Sequence, residues 1–161
     1  MPKASPATVR LFRIATLFTV LAAQVGPEPD AWQVTVAGAV IELVHLATLY
    51  HDDVMDEAPL RRGAQSANSR WTNSIAILAG DFLFARASRL VSPLGPQAVR
   101  IIAETFAELV TGQMRETVGA AADADPVDHY LKVVWEKTGS LIAAAGRFGA
   151  MSADADPEVI E

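Results

Sequence analysis

Four acids, Asp52, Asp53, Asp56 and Glu57, crowd the end of a strongly apolar run, and Arg61, Arg62 and Gly63 follow at once. If the run is helical, Asp52 and Asp56 stand at i and i+4 on one face, where like charges destabilise an isolated helix by about 0.2–0.5 kcal/mol per pair. A divalent cation offsets that cost. Mg²⁺ takes carboxylate oxygens, keeps several waters, and is typically held by one or two carboxylates plus substrate phosphate oxygens. The partial negative charge of a helix C-terminus favours a cation at the same place. A phosphate ligand bridged to such a metal keeps unpaired oxygens, and the arginine fork is the side chain best shaped for them. An acidic cluster is commonly just a solvated helix end, but here the run is apolar enough to be largely buried, and unpaired carboxylates there are costly. The pattern therefore points to metal-bridged phosphate binding.

The elements that must position these residues follow from periodicity and breakers. Apolar residues from Thr8 to Val25 recur at three- and four-residue spacing, a helix that Gly26, Pro27 and Pro29 end. Asp30 is the expected N-cap of a long helix from Ala31 to about Glu57, apolar on more than one face as a central helix should be. Pro59 to Ser66 reads as a loop, with a short turn around Asn68 to Trp71. Ser74 to Val91, Gln97 to Val118 and Val127 to Met151 read as further helices, the last broken near Gly139. Ala122-Asp123-Ala124-Asp125-Pro126 recurs as Ala153-Asp154-Ala155-Asp156-Pro157, each time with Asp as N-cap and Pro opening a helix. No stretch shows clean period-2 alternation, so the class is all-α.

Composition narrows the functions. A chain of 161 residues, read as a single domain, is long enough for a real core, and 51% hydrophobic with 20% charged residues is a globular composition. A net charge of −6 with no basic, aromatic-interleaved stripe argues against nucleic acid as a partner. The absence of cysteine excludes disulfides and thiolate metal sites. Arg13, Gln24 and Glu42 interrupt the apolar stretches, so no uninterrupted run of about 18 residues predicts a transmembrane segment. With no signal-peptide layout at the N-terminus, the expectation is a soluble, cytoplasmic protein.

Other residues are weaker signals alone. His51-Asp52 spells the dipeptide of HD-type metal-dependent phosphohydrolases, but that site needs histidines well upstream, and His45 is too close in sequence to lie on a separate helix. His45 stands two helical turns before Asp52, which predicts that it points into the cavity the aspartates rim. Gly80 inside an apolar helix costs about 1 kcal/mol against alanine, and close helix packing is its natural reading. Ala47 and Thr48, about one turn before Asp52, are small side chains beneath the acids that leave room for a long ligand. Lys137-Thr138 and Gly112-Gln113 carry little by themselves.

Taken together, His51-Asp52-Asp53-Val54-Met55-Asp56 followed by Arg61-Arg62-Gly63 resembles the first aspartate-rich motif of the trans-prenyl diphosphate synthases, or polyprenyl synthetases. The likeness extends through Glu42 to His45, Ile77 to Asp81, Gly112-Gln113 and Lys137-Thr138. It implies an isoprenoid-synthase-type helical bundle, normally a homodimer, joining isopentenyl diphosphate to an allylic diphosphate. Asp52 and Asp56 would hold Mg²⁺ on the allylic diphosphate, with Asp53 supporting. Arg61, Lys137 and Thr138 would contact that diphosphate, Arg62 and His45 the isopentenyl diphosphate, and Gln113 joins the substrate-binding set. Ala47 and Thr48 would floor a chain-length pocket for a product of about twenty carbons or more. Two departures accompany the likeness. Arg10 and Arg13 stand only loosely where the family carries a Gly-Gly-Lys-Arg-x-Arg-Pro stretch, and no second aspartate-rich motif follows Lys137-Thr138. The resemblance thus implies the N-terminal half of a synthase, inactive alone, or a noncatalytic subunit tuning a partner synthase.

Overall fold

The computed structural model describes residues 16–160. Arg10, Arg13 and the first part of the expected Thr8 to Val25 helix lie outside the described residues. The rest of that helix, α1, covers 16–23. It is followed by α2 (Trp32–Met55), a two-residue antiparallel hairpin of β1 (Leu60–Arg61) and β2 (Ala64–Gln65), α3 (Ala67–Arg70), α4 (Asn73–Val91) and α5 (Pro96–Val118). Then come α6 (Pro126–Val134), a π-helical turn (Trp135–Gly139), α7 (Ser140–Ser152) and α8 (Pro157–Ile160). The fold is all-α, as expected.

Helix α2 is the axis of the bundle. It lies along α4 and α7, and its Val40, Ile41 and Val44 meet Ala87 and Val91 of α4, Ile101 of α5 and Phe148 of α7 in one buried core. Burying a side chain such as fully enclosed Phe148 contributes about 1.5–3 kcal/mol. Burial on several sides also explains the composition of α2. Over 18 residues its mean hydropathy is 1.4, and by length and composition it is long and apolar enough to cross a membrane. Counting uninterrupted apolar residues passes over it, because Glu42 and His45 break the run without lowering the average far.

Most boundaries follow their breakers. Asp125 accepts from the amides of Val127 (2.7 Å) and Asp128 (3.3 Å) with Pro126 opening α6, and Asp156 accepts from Glu158 N at 2.9 Å. Two expectations differ. Asp30 does not cap α2; the N-cap position is Ala31, without a side-chain bond. The loop after α2 is not wholly irregular, since Leu60 pairs with Gln65 and Arg61 with Ala64. Its central residues Arg62 and Gly63 both have positive φ, 53° and 79°, the handedness that a two-residue hairpin turn demands. Two residues per strand are too few for a period-2 signal. The break expected near Gly139 is the π-turn, a helical irregularity often found at functional sites.

Candidate functional site

The last two turns of α2 present their acids to two different places. Asp52 lines a cavity of about 360 Å³ whose wall is mainly apolar, with Thr48 from α2, Ile77 from α4, Phe106 and Gln113 from α5, and Lys137 from the π-turn. It is half-buried, and among the described residues its carboxylate has no hydrogen bond or ion pair. Burial pushes its carboxyl above the usual range; Lys137 and Arg61 oppose that shift, while Asp56 and Asp53 add to it. Asp56, one helical turn further on at the exposed C-cap, accepts from Gln113 Nε2 at 3.2 Å. Gln113 is itself buried, and its Oε1 has no partner among the described residues.

Asp53 faces the other way. It is only 4% exposed and is bonded to Arg61 Nε from the hairpin. Arg61, Arg62, Arg70 and Trp71 line a second cavity of about 240 Å³ on that side. Arg61 is therefore occupied by Asp53 and does not line the Asp52 cavity. His45 lines neither cavity. Burial lowers its pKa, and Arg62 and then Arg61 lower it further, so the imidazole is neutral at pH 7. This corrects the expectation that His45 points into the aspartate cavity. Two turns place it about 10 Å back along the axis, where the same helix face meets different neighbours. Three residues before His45, about one helical turn, Glu42 is 8% exposed, with both carboxyl oxygens unpartnered among the described residues; burial raises its pKa to about 7 against the opposing pull of Arg62.

The structure also separates Ala47 from Thr48. Thr48 lines the Asp52 cavity and donates to His45 O at 2.8 Å. Ala47 is fully buried in the crossing with α4, where a Cβ on Gly80 would come within 3.1 Å of its carbonyl oxygen. Gly80 thus serves close packing, as its place in the sequence suggested. Lys137 reaches the cavity while paired with Glu116, whereas Thr138 is exposed and does not line it. Gly112 makes room for this segment, since a Cβ there would lie 2.7 Å from Glu136 Cβ and 3.0 Å from Lys137 Cγ.

Sequence reasoning missed the pairs that hold the π-turn. Arg115 clasps Glu136 through two bonds, 2.8 and 3.0 Å, and Glu116 holds Lys137, both across 21 residues, so no local pattern marks them. The Arg115 bond holds the Glu136 carboxyl below its ordinary range. The sequence marks His51 only as part of a dipeptide. Its Nε2 lies 3.2 Å from both Ile77 O and Asp81 Oδ1, so that nitrogen is engaged by α4.

Does this site suit Mg²⁺? The donors are hard carboxylate oxygens, and Asp52 is a half-buried acid lacking any partner, the environment a cation would relieve. Among the described residues no three His, Asp or Glu side chains converge to hold a metal. The set fits an ion held by one or two carboxylates and completed by ligand phosphate and water.

The site is thus an apolar cavity within an all-α bundle, with Asp52 and Lys137 in its wall and the arginines across the helix. The chain belongs to the polyprenyl synthetase family, whose model matches residues 9–161. It is 68% identical over 149 residues to the nonaprenyl diphosphate synthase of Mycobacterium tuberculosis (strain ATCC 25618 / H37Rv), covering 92% of this chain and 44% of that one. To the octaprenyl diphosphate synthase of Escherichia coli (strain K12) it is 35% identical, covering 91% and 45%. A solved geranylgeranyl pyrophosphate synthase of Corynebacterium glutamicum, complexed with calcium and isoprenyl diphosphate, superposes with a TM-score of 0.82 at 57% identity, over 92% of this chain and 45% of that one. The chain spans less than half the length of these relatives.

Proposed function

We propose that this chain is the part of a Mg²⁺-dependent trans-prenyltransferase that binds the allylic diphosphate and houses the growing chain of an all-trans polyprenyl diphosphate. The observation that carries it is the apolar cavity under Asp52, an anionic, metal-suited rim above a hydrocarbon-suited interior. Asp52 and Asp56 would hold the metal, which when bound supplies charge stabilisation for the departing diphosphate. Lys137 adds a positive charge at the same rim. Gln113 orients Asp56 through its amide. Phe106, Ile77 and their neighbours exclude water from an allylic cation, to which the double bond of isopentenyl diphosphate adds before losing a proton.

On the other face, Arg62 and neutral His45 would take isopentenyl diphosphate, and Arg61 is held by Asp53 at the boundary between the two ligands. Thr48 is the side chain placed to limit product length. A cytoplasmic homodimer is the assembly this reading carries. Elongation tests it: an extended chain restoring the relatives' full length is given Mg²⁺, an allylic primer and labelled isopentenyl diphosphate, beside the 161-residue chain. Chain growth by the extended protein, lost on chelation of metal, is expected, with little from the shorter chain. An extended protein that binds neither diphosphate would overturn the reading.

A further inference from the structure

Immediately before Asp52, His51 is clamped into α4. Its Nε2 has two neighbours at 3.2 Å, the carbonyl oxygen of Ile77 and Oδ1 of Asp81. Both are acceptors only, so the shared proton must sit on Nε2 and be donated to the pair. The ring occupies space that α4 leaves open: a Cβ on Gly80 would stand 2.4 Å from Nε2 and 2.6 Å from Cδ2. Ile77, Gly80 and Asp81 thus form a socket one turn wide on α4, and His51 is the peg from α2.

We propose that His51 is a positioning residue whose bond into the Ile77–Gly80–Asp81 socket fixes the C-terminal turn of α2, and with it the metal-holding carboxylates Asp52 and Asp56. The proposal rests on the reading of those two aspartates as metal ligands. Its physical basis is the end of the helix: the last carbonyls and side chains of a helix are its least restrained part. Here the Asp56 carboxylate is exposed and, among the described residues, is held by one 3.2 Å bond from Gln113 Nε2. The Asp52 carboxylate has no hydrogen bond or ion pair among the described residues, so its direction is set by the backbone that His51 anchors one residue earlier. The socket also explains why α4 tolerates glycine at position 80, where alanine would favour the helix by about 1 kcal/mol.

The test uses Mn²⁺ with inorganic diphosphate as the probe, bound metal being read by electron paramagnetic resonance on the intact chain, with helix content followed by circular dichroism. His51→Gln, which places an amide N–H near the reach of Nε2, is expected to bind close to the parent level. His51→Asn, too short for the socket, is expected to lose about tenfold in Mn²⁺ affinity with helix content unchanged, as removal of groups that orient ligands does. Equal binding by the Gln and Asn variants would overturn the proposal, because a merely space-filling histidine would not distinguish them. Asp52→Asn separates the two levels of the argument. If it abolishes Mn²⁺ binding while His51→Asn does not weaken it, the clamp fails and the site reading stands. Should Asp52→Asn bind as well as the parent, or the parent bind no Mn²⁺ at all, both fail together.

Discussion

Asp52 and Asp53 are adjacent, chemically identical and oppositely employed. The Asp52 carboxylate looks into a mainly apolar cavity with no partner among the described residues; Asp53 is buried against Arg61 on another side of the same helix. One residue of an α-helix turns the side chain by about 100°, enough to separate an unpaired carboxylate from one paired with arginine. The two cavities divide in the same way. The Asp52 side joins an acidic rim to an apolar interior, while the other gathers Arg61, Arg62 and Arg70 around one satisfied acid. An aspartate-rich motif is therefore not a uniform cluster, and its members should fail differently when removed.

The largest contrast is expected in turnover. Asp52→Ala and Asp56→Ala in the extended chain should each lower kcat by more than tenfold, at least about 1.4 kcal/mol of barrier, with little change in melting temperature. Steady-state elongation assays check this, and losses below tenfold in both would break the assignment. Removing Arg61 should show the opposite profile in stability. Arg61→Ala leaves the buried Asp53 carboxylate without its partner and should cost about 2–3 kcal/mol in urea unfolding. Arg61→Lys keeps charge but loses the planar fork, and an intermediate loss is expected.

Glu42 sharpens the arginine side through pH. Its folded pKa is raised from 4.5 to about 7 by burial, so the folded state holds a proton that the unfolded state releases. The sign follows: stability is greatest below the unfolded value and falls as pH rises through the window from about 4.5 to 7. Glu42→Gln should remove that fall. At pH 8 the variant should be more stable than the parent by on the order of 2 kcal/mol, with the gain gone near pH 4, as thermal melts across pH would read.

How much of this was legible differs between the axis and its surroundings. The helices follow from apolar spacing and from Gly26, Pro27, Pro29 and Pro59, because those signals are local and strong. The order of side chains around α2 was legible only as angles. Periodicity put His45 and Asp52 on one face but could not say that they meet different neighbours two turns apart. It put Ala47 and Thr48 together beneath the acids, yet one is enclosed by α4 and the other lines the cavity. Glu116 with Lys137, Arg115 with Glu136, and His51 with Asp81 are pairings between elements, and nothing in either partner's local sequence announces them.

Product length supplies a smaller effect that tests this separation. Thr48→Phe should shorten the product seen by chromatography without much loss of stability. Ala47→Phe should instead lower stability by about 1–3 kcal/mol through overpacking at the helix crossing. A shorter product from Ala47→Phe with unchanged stability would show that position 47 opens on the cavity.

The division between Asp52 and Asp53 is tested most directly by calorimetric titration of Mg²⁺ into the chain with an allylic diphosphate, comparing Asp52→Asn with Asp53→Asn. Asp52→Asn should abolish metal-dependent binding and leave the melting temperature nearly unchanged; Asp53→Asn should retain metal binding and melt lower. Retention of metal binding by Asp52→Asn with its loss in Asp53→Asn would contradict the account.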